Sequence, residues 1–113
     1  FDNHLPDLNI GDNSGRSCAS AITAAVAAIC AQSSAYTHVV NGRFKGGWTI
    51  RHYGRPKSGV HAIQMELAQR RYLESEIPPF SYSASRAAPL RNLLGKILKA
   101  VEDTANSNLM MET

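Results

Sequence analysis

The sequence predicts an α/β domain, because two segments with helical apolar spacing are interspersed with three short segments typical of β-strands. Its 113 residues are enough for one core, and a composition of 43% hydrophobic and 19% charged residues is that of a globular protein. We expect residues 1–106 to form a single unit and residues 107–113 to form a frayed tail.

The first strand is predicted at residues 5–10, where apolar and polar residues alternate after Pro6. Turn-forming residues fill positions 11–15, and Ser17 is the predicted N-cap of a helix over residues 18–32. The inward face of that helix has the spacing i, i+3, i+4 and i+7, with Ile22, Ala25, Val26 and Ile29.

Cys18 and Cys30 lie on this predicted helix, so about 18 Å would separate them at a rise of 1.5 Å per residue. That distance excludes a disulfide between them, and a reducing compartment such as the cytoplasm is expected. A small buried residue is the favoured reading of Cys18, and a catalytic thiol at the helix start is the alternative.

The central stretch, residues 41–69, concentrates ionisable residues and glycines; it follows a predicted strand at residues 36–40 and contains another at residues 59–67. We expect it to contain a functional loop. Glu66 stands near the end of an otherwise apolar strand, where a carboxylate is costly to bury unless it is paired or used in chemistry. A structural ion pair with a nearby arginine is the alternative.

The second helix is predicted over residues 85–106, with Ser83 or Ser85 as its N-cap and Pro89 in its first turn. Its apolar stripe contains Leu90, Leu93, Leu94, Ile97, Leu98 and Val101. This helix is expected to serve as core scaffold.

Charge and hydropathy argue against two classes of partner. The formal net charge of +3 comes from scattered residues, so no nucleic-acid partner is expected, and no apolar run approaches the roughly 20 residues that span a bilayer. The chain starts without methionine in a strand-like segment, which suggests that something upstream is missing.

Residues of the central stretch could carry out amide hydrolysis on an acidic substrate. Arg51 offers a planar fork for a carboxylate, Glu66 could move a proton between water and a leaving nitrogen, and His52 could donate to an oxyanion. The sequence has no HxxE, HExxH or GxSxG motif, so it supplies neither a complete zinc site nor a serine nucleophile.

Five segments of this chain resemble the C-terminal half of N-formylglutamate deformylases, also called N-formylglutamate amidohydrolases. They are LPDLNIG, GRSC, YTHVVNGRFKGG, TIRHYGRP and GVHAIQMELAQ, and the resemblance runs from about Leu5 to Leu98. It implies hydrolysis of N-formyl-L-glutamate to formate and glutamate in histidine breakdown. It also implies a mixed, mainly parallel sheet flanked by helices, as in zinc carboxypeptidases.

The resemblance implies roles for particular residues as well. Glu66 resembles the general base and Arg51 would grip a carboxylate of the glutamyl group, with His52 in a supporting catalytic contact. Further substrate contacts fall to Asn41, Arg43 and Lys45.

The family's zinc or other divalent metal is bound by histidine-containing motifs that this chain lacks, so we expect a truncated C-terminal portion that is inactive alone. Two alternatives stay open. One is a related zinc amidohydrolase or carboxypeptidase-like enzyme acting on another N-acyl acidic amino acid, and the other is a non-catalytic domain that binds a carboxylate or a protein. Homo-oligomer formation through exposed surface is also expected of a partial domain.

Overall fold

The computed structural model describes residues 5–107 and contains a three-stranded sheet with helices packed on it. The strands are β1 (Leu8–Gly11), β2 (His38–Val40) and β3 (Gln64–Leu67). The helices are α1 (Ser20–Gln32), α2 (Trp48–Tyr53) and α3 (Ala84–Ala105), with short 3-10 helices at Pro56–Ser58 and Gln69–Arg71. The α/β class predicted from the sequence is confirmed.

The sheet is mixed, with the strand order β2-β1-β3. β1 pairs with β2 in parallel, and α1 provides the crossover that a parallel connection requires. β1 pairs with β3 in the antiparallel direction. The described strands therefore contain one parallel and one antiparallel pair, so a mainly parallel arrangement is not seen among them.

The core lies between one face of this sheet and the helices α1 and α3, which pack against each other. Leu8 and Ile10 are fully buried at its centre, because β1 is the middle strand. The helical residues of this core are Val26, Cys30, Leu90, Leu93 and Ile97. Partial cover comes from apolar side chains of β3 and its approach, Ile63, Met65 and Leu67.

The start of α1 corrects the predicted N-cap. The helix begins at Ser20 rather than residue 18, and Ala19 is its N-cap without a side-chain hydrogen bond. The Ser17 hydroxyl instead donates to the carbonyl of Ala62 at 2.8 Å, which ties the segment before α1 to the approach of β3. The Ser17 hydroxyl therefore bonds to a distant carbonyl instead of capping the helix that follows it.

The region around α3 confirms one predicted cap and corrects two other predictions. Ser83 Oγ accepts from the amide of Arg86 at 3.2 Å, as an N-cap should. Pro89 lies in the second turn rather than the first. Leu98 is 70% exposed rather than part of the buried stripe, whereas the other predicted stripe residues of α3, Leu90, Leu93, Leu94, Ile97 and Val101, belong to the core or pack against it.

Two predictions about the chain ends are not tested by the structure. Residues 1–4 of the predicted single domain and residues 108–113 of the predicted tail lie outside the described residues. In residues 5–107, no helix is both long and apolar enough to cross a membrane.

Candidate functional site

The candidate site lies on the face of the sheet that is turned away from α1 and α3. Directly opposed residues of an antiparallel pair point to the same side. Asn9 is opposite Glu66, and Gly11 is opposite Gln64. These four residues, which we call the outer face, alternate with the core residues of β1 and β3, so folding forces them onto the side that the core does not use.

A loop formed by residues 42–47, the covering loop, lies on this outer face. The Asn9 amide donates to the carbonyl of Phe44 at 2.6 Å and accepts from its N–H at 3.3 Å. Farther along, the N–H of Gly47 donates to Gln64 Oε1 at 3.1 Å. Two side-chain amides of the sheet therefore fix the loop at both ends of its contact.

Gly11 is needed where the covering loop approaches β1. A Cβ at this position would lie 2.9 Å from the carbonyl oxygen of Lys45 and 2.9 Å from Cγ of Gln64. Such distances are too short for real contacts, so any larger residue would push the loop away from the sheet.

Arg51 and His52 stand on the short helix α2, which corrects the prediction that they lie on an irregular loop. Both side chains are exposed. Arg51 Nε donates to the carbonyl of Gly47 at 3.3 Å. The Arg51 guanidinium therefore lies close to Gly47, whose N–H donates to Gln64. The indole of Trp48 stacks on the His52 ring, with centroids 4.2 Å apart and planes 13° apart.

Glu66 is exposed, so the structure avoids the cost of burying a carboxylate at this strand end. The reason is the strand register, which places its neighbours Met65 and Leu67 against the core and Glu66 on the opposite side. Among residues 5–107, the arginine ion pairs involve Asp7 and not Glu66, so the alternative of a structural pair is not supported there.

Glu66 lines a cavity of about 190 Å³, and sequence reasoning missed the other polar and charged residues that line it. Its lining also includes Asn9, Phe44, Arg70 and Glu76. Arg70 was missed because its neighbourhood read as an irregular connection between elements. Its bond to Asp7, the residue before β1, holds Arg70 where it lines this cavity.

The three remaining predicted substrate contacts occupy different environments. Arg43 and Lys45 are exposed on the covering loop. Asn41 follows β2 in a left-handed conformation, with φ of 51°, and its Nδ2 donates to Asp12 Oδ1 at 2.7 Å. Its Oδ1 accepts from the amide of Asp12 at 3.1 Å. The Asn41 side chain is thus used to hold the turn after β1, and its contact with substrate stays a prediction.

Asp12 is a buried carboxylate that the sequence reading treated only as a turn residue. Burial alone would raise its pKa, but hydrogen bonds from Asn41, Thr23 and Gly15 outweigh this and hold the pKa below the ordinary value. The Thr23 hydroxyl donates at 2.7 Å and the Gly15 amide at 2.8 Å. Asp12 therefore joins β1, α1 and the end of β2.

Asp7 anchors the arginine that lines the Glu66 cavity. It is 1% exposed and accepts from Arg70 Nη2 at 2.8 Å, from Arg71 Nε at 2.7 Å and from Arg71 Nη2 at 2.9 Å. Burial would raise the pKa of Asp7, whereas the hydrogen bonds from Arg71 and Thr37 and the charges of both arginines lower it below its ordinary value.

The thiol of Cys18 and the ring of His61 both fit structural roles. Burial raises the pKa of Cys18, and the charge of Asp12 adds to this while a hydrogen bond involving Thr23 opposes it. A reactive thiolate is disfavoured, which supports the small buried residue. His61 Nδ1 accepts from the amide of Ala19 at 3.0 Å, so that ring satisfies a backbone donor at the start of α1.

The described residues do not fit a metal centre of their own. Across residues 5–107, no group of three or more His, Cys, Asp or Glu side chains could hold a metal ion. The site that this chain offers consists of Glu66, cationic side chains and backbone groups around one face of a sheet.

A model of the N-formylglutamate amidohydrolase family matches residues 1–73 of this chain. Among curated proteins, the N-formylglutamate deformylase of Pseudomonas aeruginosa is 46% identical over 101 residues, which cover 89% of this chain and 38% of that protein. The deformylase of Pseudomonas putida is 45% identical over the same shares. The chain therefore spans well under half the length of these relatives.

A solved structure has the same fold as this chain. The crystal structure of N-formylglutamate amidohydrolase from Ralstonia eutropha JMP134 superposes with a TM-score of 0.76 at 24% sequence identity. The superposition covers 92% of this chain and 36% of that one.

Proposed function

Because this chain belongs to the N-formylglutamate amidohydrolase family, we propose that it forms part of the catalytic domain of an enzyme that hydrolyses N-formyl-L-glutamate to formate and L-glutamate. The relatives of nearly half-identical sequence carry the name of this activity. These relatives are much longer than this chain, which supports the proposal that it supplies one part of the active site. The reaction belongs to histidine breakdown and takes place on a small, doubly acidic molecule.

One observation carries the proposal: the tether between Gln64 and Gly47 at 3.1 Å. Gln64 lies two residues before Glu66 on the same face of β3, so about 7 Å along the strand separates the two. Gly47 in turn is the residue to which Arg51 is bonded. This chain of contacts supports the proposal that Arg51 and Glu66 act on the same side of the sheet.

The proposed roles follow from the chemistry of these groups. Glu66 takes a proton from the attacking water and returns it to the leaving nitrogen of glutamate. Arg51 binds a substrate carboxylate through two parallel N–H donors. His52, held flat against Trp48, donates to the oxygen that becomes negative during attack. The remaining substrate contacts are assigned to Asn41, Arg43 and Lys45.

The family resemblance implies zinc or another divalent metal, and the proposal places its ligands outside residues 5–107. A metal would supply Lewis-acid polarisation to the completed enzyme. We also propose that the described sheet is part of a larger sheet of the zinc-carboxypeptidase type, which is mixed and flanked by helices.

The first experiment tests the chain by itself. The purified 113-residue protein, supplied with N-formyl-L-glutamate and zinc, is expected to release no formate above the rate without protein. Formate release that requires both the protein and zinc would show that this chain is a complete enzyme.

The second experiment tests the residues in a chimera in which this chain replaces the matching portion of the Pseudomonas aeruginosa deformylase. In an active chimera, Glu66→Gln should lower kcat by about a hundredfold or more with little change in KM. Arg51→Lys should chiefly raise KM, because lysine keeps the charge but loses the fork. Arg91→Gln, on the surface of α3, is the matched control and should change neither. Full activity of the Glu66→Gln chimera would overturn the assignment of the base.

A further inference from the structure

A second cavity, which shares only Arg70 with the Glu66 cavity, is lined by three arginines. It has a volume of about 560 Å³ and lies between the segment before β2, the 3-10 helix Gln69–Arg71 and the first turns of α3. We call it the arginine pocket, and its lining residues are Ala35, Tyr36, Arg70, Arg71, Arg86 and Pro89. Neither the predicted active site nor the proposed reaction uses Tyr36 or Arg86.

The charge of this pocket is not balanced by the described residues. Arg70 and Arg71 share a single carboxylate, Asp7, which is buried below them. Arg86 has no carboxylate within ion-pair distance among residues 5–107. Three guanidinium groups thus line one cavity, and Asp7 is the one carboxylate within ion-pair distance of them among residues 5–107, so the two positive charges beyond that of one ion pair have no partner at that distance.

The three side chains are held in place by the protein itself. Arg86 Nη1 donates to the carbonyl of Leu73 at 2.7 Å and more weakly to two neighbouring carbonyls. The guanidinium of Arg71 lies 5.4 Å above the centre of the Tyr36 ring and is also bonded to Asp7. Because these contacts fix the arginines before any ligand arrives, binding would cost little side-chain entropy.

Donors remain for a ligand after these contacts are made. Within the described part of the chain, Nε and Nη2 of Arg86 have no hydrogen-bond acceptor, and neither do Nε and Nη1 of Arg70. Planar guanidinium groups recognise oxyanions through pairs of such N–H donors. Two excess positive charges match an anion of charge −2.

We propose that the arginine pocket is a binding site for a small doubly charged oxyanion, such as inorganic phosphate or a phosphorylated or dicarboxylate metabolite. The inference does not depend on the proposed hydrolase activity. Arg70 also lines the Glu66 cavity, but Tyr36 and Arg86 do not, so the two sites can be separated by variants of Arg86.

Titration of the 113-residue protein with inorganic phosphate, followed by NMR at constant ionic strength, tests the proposal. The Nε–H signals of Arg70 and Arg86 are expected to shift saturably, whereas sodium chloride should leave them in place. NMR is preferred to thermal unfolding because phosphate stabilises most folded proteins non-specifically. A titration with succinate shows whether a dicarboxylate takes the same site, and competition between the two anions for the same signals supports a shared oxyanion site.

Matched variants separate a built site from general positive charge. Arg86→Gln should weaken phosphate binding about tenfold, the effect of losing one charge-assisted fork. Arg91→Gln removes the same charge from an exposed position on α3 outside the pocket and should leave binding unchanged. Far-UV circular dichroism checks that both variants keep their helices. Linear, non-saturating shifts in the wild type, or equal weakening by both variants, would overturn the proposal.

Discussion

At the scale of single residues, two buried carboxylates, Asp7 and Asp12, join segments that are far apart in the sequence. Asp12 and Asp7 are 4% and 1% exposed, and both stay charged because hydrogen-bond donors surround them. Asp12 receives these donors from neutral groups, whereas Asp7 receives most of them from arginines. Each joins segments about thirty positions apart or more, as the bonds to Asn41 and Arg71 show.

These two carboxylates predict a loss of stability in acid. The pKa of each is lower in the folded protein than its ordinary value of 3.8, so the unfolded chain binds more protons between the two values. The stabilisation is therefore complete above about pH 5 and is lost as the pH falls through 3.8 and below. Urea unfolding at a series of pH values measures the slope.

The variant Asp12→Asn tests whether Asp12 contributes to this pH dependence of the unfolding free energy. In Asp12→Asn, the slope of unfolding free energy against pH should fall by at most about 1.4 kcal/mol per pH unit, which corresponds to one proton. Glu102→Gln changes an exposed side chain on α3 and should leave the slope near that of the wild type. A free energy of unfolding that stays constant from pH 5 to pH 3 in the wild type would contradict the prediction.

The residue scale also explains which site residues could be found from sequence. Arg51 and His52 were found because they are ionisable groups concentrated among glycines, and Glu66 was found because it is a carboxylate near the end of an otherwise apolar strand. Arg70 was not found, because its position in the Glu66 cavity results from strand pairing and from its bond to Asp7. Nothing in the local sequence indicates which arginine will meet a distant carboxylate.

At the scale of elements, the covering loop and the outer face form the most specific piece of packing. The side chains of Asn9 and Gln64 bind the covering loop to the sheet, and the missing side chain of Gly11 leaves space for the loop. The sequence indicated a loop through its glycines. It did not indicate α2, because six residues with exposed aromatic and basic side chains lack the apolar period of a longer helix.

The loop predicts opposite effects for two glycine substitutions. Gly11→Ala should destabilise the protein by about 1–3 kcal/mol, because the new methyl group would overlap the Lys45 carbonyl and the Gln64 side chain. The Gly47 amide should also exchange its hydrogen faster, as the bond to Gln64 weakens. Chemical unfolding and NMR hydrogen exchange measure the two effects.

Gly95→Ala is the matched comparison. Gly95 lies on the exposed face of α3, and apart from its chain neighbours and the nearby backbone of α3 no atom lies within 4 Å of the Cβ that alanine would add. The substitution should stabilise the protein by about 0.5–1 kcal/mol, because alanine restricts the unfolded chain without a clash in the helix. If Gly11→Ala is as benign as Gly95→Ala, the covering loop does not lie tightly on β1.

At the scale of the whole molecule, the described sheet has two edges, β2 and β3, and several large apolar side chains are exposed. They include Val40 at 39%, Phe44 at 40%, Trp48 at 61% and Leu98 at 70%. Unpaired strand edges and exposed apolar groups favour association with another chain.

The isolated chain is therefore expected to self-associate through the β2 edge. Sedimentation velocity should show a sedimentation coefficient that rises with protein concentration. Val40→Lys should reduce this rise, because a lysine on an edge strand opposes pairing. Leu98→Lys, on α3, is the control and should have little effect. Reduction by the α3 substitution alone would assign the association to the helix surface and contradict the edge.

The sequence by itself determined the α/β class, the approximate positions of the strands and long helices, and the family. Local periodicity and a long run of specific residues carry that information along the chain. Only the tertiary structure decided that Ser17 bonds to Ala62, that Glu66 is exposed to solvent, and that Arg70 lines the same cavity as Glu66. The physical reason is that strand register and side-chain partners depend on contacts between distant segments, which no local pattern specifies.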